Sequence, residues 1–197
     1  MSNSSLIIPS QTINLARRSL LSRAGQATLS AAAVAILAGC ESMASSKTAE
    51  AADPSADIKI LNTAVSAEHE AIAAYQVGAE SGLLKPDALK LAVTFQSQHK
   101  EHVDLLSSTI KKLGGTAAGP KAKYEFPTEK LKTQADVLAF AASLEKGAVS
   151  AYLGAVPLFA NRDLAKAAAS ILGDEAMHWA VLRNALGDVP VPAAFVA

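Results

Sequence analysis

Leu164-Ala165-Lys166-Ala167-Ala168-Ala169-Ser170-Ile171-Leu172-Gly173-Asp174-Glu175-Ala176-Met177-His178-Trp179-Ala180-Val181-Leu182 is the stretch that decides the fold. Leu164, Ala168, Ile171, Glu175, His178 and Leu182 recur at spacings of four and three, which places them on one stripe of an α-helix. A bundle helix buries such a stripe. Here an acid and an imidazole interrupt it at mid-length, and a charge inside a seam is costly unless it is partnered. The partners have to come from other helices.

Three further stripes supply them. A first helix, with Asp57 as its expected cap, runs to about Gly82 and carries Leu61, Val65, Glu68, Ile72 and Tyr75. A second has Pro86 in its first turn, ends near Gly114-Gly115, and carries Ala92, Phe95, His99, His102 and Leu106. A third opens at Thr133 with Leu138, Ala142, Glu145, Val149 and Tyr152; Asn161 separates it from the fourth, which stops at Gly187. The first and last connections are short, so each pair of helices forms an antiparallel hairpin. Between the pairs lie about eighteen aperiodic residues, a length that compact domains reserve for a specific task; the expected task is a crossover along the bundle. No strand-like alternation occurs. Half of the residues are apolar with alanine dominant and only 5% are aromatic, a balance that favours helix. The expectation is an all-α four-helix bundle over residues 56–188, with 189–197 as a C-terminal tail.

The two hairpins repeat each other. Glu68 precedes Tyr75 by the interval at which Glu145 precedes Tyr152, and His99-x-x-His102 aligns with Glu175-x-x-His178. At about 1.5 Å rise per residue, Glu68 and His102 lie at similar heights above their turn, so one layer of ligands is feasible. A carboxylate from each of two helices plus Glu-x-x-His from each of the others is the ligand set of ferritin-like carboxylate proteins. Residues 57–187 resemble the ferritin-like domains of bacterial envelope proteins, a group similar to plant desiccation-related proteins. The motifs are Ala67-Glu68-His69 with Tyr75, Tyr124 to Pro127, Leu144-Glu145 with Tyr152, and Asp174-Glu175-x-x-His178. The resemblance implies a ferritin-like bundle with Glu68, His99, His102, Glu145, Glu175 and His178 as metal ligands. Tyr75 and Tyr152 read as core aromatics packed around them rather than as redox partners. His69 and Glu70 fall off the stripe and are expected in solvent. The departure is His99, which stands where a bridging glutamate is usual. Three carboxylates neutralise two divalent ions less well than four, so a single iron, manganese or zinc ion competes with a di-iron pair.

The first forty residues read as an address. Arg17-Arg18 precedes a mildly apolar run, Ala24 to Gly39, too short for a comfortable membrane span. The pair resembles a twin-arginine export signal, and Leu37-Ala38-Gly39-Cys40 resembles a bacterial lipobox. Residues 1–39 are therefore expected to be a signal peptide and Cys40 the lipidated residue. Residues 40–55 then form a flexible tether, and the protein sits on the periplasmic side of the cell envelope with the membrane as partner. The single cysteine rules out an internal disulfide. Eighteen basic and eighteen acidic residues balance, but Arg17, Arg18 and Arg23 all lie in the leader, so the remainder is weakly acidic and offers nucleic acid no footprint. Two functions compete: Fe(II) oxidation or peroxide handling, and a non-catalytic envelope stress or scaffold module with a degenerate metal site. The oligomeric state is not legible. Cys40→Ser is expected to leave unlipidated precursor or a soluble product, and incorporation of labelled fatty acid into that variant would refute the lipobox.

Overall fold

A computed structural model describes residues 54–196; the leader and Cys40 lie outside the described residues. Four helices follow one another: α1 (Ser55–Glu80), α2 (Pro86–Lys112), α3 (Gln134–Ala155) and α4 (Arg162–Leu186). Among the described residues there is no strand, and no helix is long and apolar enough to cross a membrane. The chain is, as expected, an all-α four-helix bundle of two antiparallel hairpins, α1 with α2 and α3 with α4.

The helix ends follow local chemistry. Pro86 occupies the first turn of α2, where its missing N–H costs nothing. Thr133 and Asp136 cap α3 reciprocally, each side chain bonding the other's backbone N–H. Asn161 accepts from the Asp163 N–H at the start of α4. Gly187 ends α4 at φ 82°, a left-handed conformation that suits glycine.

Asp57 is a correction. It caps nothing on α1, which begins two residues earlier after Pro54. Instead its carboxylate is 3% exposed and accepts from the backbone N–H groups of Ala160, at 2.9 Å, and Asn161, at 3.0 Å. It thereby ties the start of α1 to the α3–α4 connection.

The crossover runs from one end of the bundle to the other. It leaves α2 beside the start of α1, where Asn62 bonds Thr116 O and the Ala118 N–H. The approach is tight: a Cβ on Gly115 would stand 2.9 Å from the Ile58 side chain. It arrives beside the α1–α2 turn, where the Lys85 N–H donates to Gln134. Phe126 packs on Phe140 along the way, and a 3-10 turn spans Thr128–Lys130.

Two apolar clusters fill the interior. Leu61, Val65, Leu106, Ile110 and Ile171 lie in one, and Tyr75, Phe95, Leu138, Ala142 and Leu182 in the other. Between them sits a layer of buried acids and imidazoles. Of the expected stripe residues, Ile72 and His102 are only half-buried; the others are buried. Asp57→Ala would strand two backbone N–H groups and is expected to cost about 1–3 kcal/mol, with Asp57→Asn losing less. Urea unfolding checks this, and an Ala variant as stable as the wild type would contradict the tie.

Candidate metal centre

The layer brings all six sequence-expected ligands together. Glu68 comes from α1, His99 and His102 from α2, Glu145 from α3, and Glu175 and His178 from α4. Their donor atoms form two overlapping groups, each within 4.8 Å: Glu68, His99, His102 and Glu175 in one, His99, Glu145, Glu175 and His178 in the other. His99 and Glu175 belong to both.

His99 sits between the halves. Its Nδ1 is 2.8 Å from Glu68 Oε2 and its Nε2 is 3.4 Å from Glu145 Oε1. Two ring nitrogens on one side chain thus face the two half-sites. His102 Nδ1 lies 3.4 Å from Glu68 and 3.2 Å from Glu175; His178 Nδ1 lies 3.5 Å from Glu145 and 3.4 Å from Glu175.

Tyr75 and Tyr152 cross the bundle. The Tyr152 hydroxyl donates to Glu68 at 2.5 Å, and the Tyr75 hydroxyl donates to Glu145. Each tyrosine therefore fixes the glutamate of the opposite hairpin. Burial and the adjacent carboxylates push both phenols far above their ordinary range, so they act as donors. Gln98 does not stand out in the sequence, and Asp174 does so only as part of the Asp174-Glu175-x-x-His178 motif, with no role of its own. Gln98 Oε1 is 2.9 Å from His178 Nε2, and Asp174 Oδ2 is 3.3 Å from His102 Nε2 and from His178 Nε2. Each immediately precedes the residue shared by the two groups, so the pseudo-twofold extends to them. Such partners orient imidazole ligands. Phe95 stacks on the His178 ring with centroids 4.0 Å apart, fixing it further. His69 and Glu70, expected in solvent, are half-buried.

The electrostatics are those of a mutually neutralising cluster. Burial alone would raise Glu68, but bonds from His102 and His99 outweigh it and hold the carboxyl at about 2. Glu145 is lowered likewise, with His178 and His99 overcoming burial. Burial opposes the charge on His99, but Glu145 and Glu68 raise it to about 10; carboxylate neighbours raise His102 and His178 to about 9. Burial and the Glu145 carboxylate push Glu175 up.

A metal fits this donor set. Both Glu175 oxygens and His178 Nδ1 are buried with no hydrogen-bond partner, because the 3.2–3.5 Å approaches around them lack the direction of a bond. Buried polar atoms left unpaired are rare and call for an explanation such as an ion. Acid oxygens with imidazole nitrogens suit iron, manganese or zinc.

The likeness to known proteins follows the same lines. The ferritin-like domain pattern matches residues 56–188. A conserved hypothetical protein of Mycobacterium tuberculosis, rv2844, shares 26% identity and the fold at a TM-score of 0.63, over 73% of this chain and 99% of its own. A structure of ferritin-like, diiron-carboxylate proteins from Bacillus anthracis matches at 21% identity and a TM-score of 0.59, over 68% of this chain and 98% of its own. No curated protein matches. With a match over well more than half its length and a bundle of the same architecture, the chain belongs to the ferritin-like domain family.

Proposed function

We propose that the protein binds iron, or a similar ion such as manganese or zinc, in the polar layer and, with a redox-active ion there, oxidises Fe(II) with dioxygen or peroxide or handles peroxide in the envelope, whereas zinc would only be held. The observation that carries this reading is the pair of overlapping donor groups around the unpartnered Glu175 oxygens. Glu68 with His102 and Glu145 with His178 would hold the outer positions, with Glu175 and His99 between them. A redox-active ion would supply one-electron chemistry toward dioxygen or peroxide. The protein's part is to fix the ligands: tyrosine hydroxyls hold Glu68 and Glu145, while Gln98 and Asp174 hold the imidazoles. His102 and Asp174 are 12% and 22% exposed and line an opening between α2 and α4, the side from which a cation can approach. The diiron-carboxylate description of the Bacillus anthracis structure supports iron as the metal. The Arg17-Arg18 and lipobox motifs support export and anchoring through Cys40 on the periplasmic side, in keeping with the resemblance to desiccation-related envelope proteins. His99 in place of a bridging glutamate favours a second reading, a stress or scaffold module whose polar layer pairs only with itself.

Three outcomes test the site. Glu175→Ala and His178→Ala should each lose most bound metal while staying folded; elemental analysis showing wild-type metal content in both would refute it. His99→Glu should bind more iron per chain and oxidise Fe(II) faster, because four carboxylates neutralise two divalent ions better. On the scaffold reading the same change buries an unpaired acid, so the variant melts earlier with no stabilisation by Fe(II).

Protons and metal compete for the same atoms, which sets the pH response. Glu68 is lowered, so its contribution to stability is complete above its unfolded value of 4.5 and is lost as pH falls toward about 2. The three histidines are raised, so theirs is complete below 6.5 and is lost as pH rises through about 9 to 10. The metal-free protein should therefore be most stable between these unfolded values and melt earlier on either side, whereas metal affinity should rise with pH. Thermal unfolding with and without chelator across this range checks both trends.

A further inference from the structure

A cavity of about 560 Å3 opens between α1 and α3, and the polar layer forms its floor. Glu68, His99, Glu145 and Tyr152 line that floor, each more than nine-tenths buried. The walls are small and apolar: Ala64, Ala67 and Ala71 on α1, Ala148, Ala151 and Ala155 on α3. Gly147 and Gly154 also line it, and a Cβ at either would meet no atom within 4 Å. Glycine inside a helix is less stable than alanine, so neither stability nor packing within the chain asks for it here. The space is open although side chains could fill it.

We propose that this cavity binds an uncharged aliphatic molecule whose end rests against Glu68, His99 and Glu145. That the molecule would be a substrate rests on the metal reading above; that it binds does not. Size argues for a small ligand, since such sites are mostly apolar clefts of roughly 300–1,000 Å3 with a few polar groups at one end. A partner protein needs a far broader surface, roughly 800 Å2 on each side. Charge argues for neutrality. No lysine or arginine lines the cavity, and the one imidazole on its floor, His99, is already held between Glu68 and Glu145, so a carboxylate-headed chain finds no free counter-charge and meets Glu68, Glu145 and the rim residue Glu70. The face is also distinct from the α2–α4 opening with His102, Lys166 and Asp174, so a cation and an apolar molecule would reach the layer from different sides.

The test uses the full-length chain, metal-free and metal-loaded, with the neutral fluorophore N-phenyl-1-naphthylamine. Saturable binding of one probe per chain is expected, with displacement by decanol and much weaker displacement by decanoate. The double variant Ala67→Leu/Ala151→Leu alters two exposed positions at the lip and should bind the probe about tenfold or more weakly, at unchanged helical content and metal stoichiometry. Single Ala148→Leu, deeper in the wall, should act in the same direction. Probe binding that both variants leave intact overturns the proposal. So does a wild type that binds no probe, with the filled variants dissociating a dimer, because the face is then an interface between copies. Equal displacement by decanoate overturns the assigned neutrality. A wild type that binds the probe and no metal keeps the cavity and removes the metal reading instead.

Discussion

Three carboxylates and three imidazoles share one level of a bundle interior, and that level is the constraint the rest of the molecule accommodates. An isolated buried ion is strongly unfavourable, and removing one partner of a buried pair costs about 3–5 kcal/mol because the other is stranded. The layer is therefore balanced only where members from both hairpins meet. Each of the four helices contributes at least one member, so no hairpin can satisfy it alone. The apolar clusters on either side position it: they set the height at which Glu68, His102, Glu145 and His178 meet, and from one side Phe95 stacks on the His178 ring while Tyr75 packs at a tilt against His99.

The hairpins pack closely within themselves and more loosely against each other. Specific polar ties cross the gap. Tyr75 reaches Glu145, Tyr152 reaches Glu68, Gln98 reaches His178 and Asp174 reaches His102, a set that maps onto itself when the hairpins are exchanged. At the bundle ends Asp57 and Lys85 add backbone ties between the same halves. Because these bonds bring the halves into register, α1 and α3 need not pack tightly, and alanines and glycines can leave the cavity open between them. His99 breaks the exchange symmetry. Its counterpart Glu175 offers two oxygens, whereas His99 offers two nitrogens that already face opposite half-sites.

Much of this is written in local sequence. The four-three stripes are visible because helical periodicity requires only near neighbours, and they placed every buried acid and imidazole of the layer. Pro86, Thr133, Asn161 and Gly187 were legible as helix ends for the same reason: each acts within its own turn. Asp57 was misread because the N–H groups it bonds are about a hundred positions away, and nothing near it in the chain distinguishes a cap from a long-range tie. Gln98 and Asp174 lie one position off their stripes. Only the crossing of α2 and α4 brings them onto imidazoles of the opposite helix. The cavity was invisible for a related reason. Alanine is a good helix former wherever it stands, so Ala67, Ala148 and Ala151 look like helix-forming residues until two helices are seen to face each other across empty space.

The protonated histidines have a further consequence. Carboxylate neighbours hold His99, His102 and His178 above the ordinary imidazole range, so the metal-free layer favours imidazolium beside its carboxylates and is partly neutralised from within. A site whose carboxylates had no such protons would repel itself and would need metal in order to fold. Protons on the imidazoles would lessen that repulsion in the metal-free bundle, and metal binding at the same atoms would release them. The exchange is uneven. Both Glu175 oxygens are without a hydrogen-bond partner, and Glu175 is one of the two residues common to both donor groups, so an ion there would satisfy what the histidines leave open.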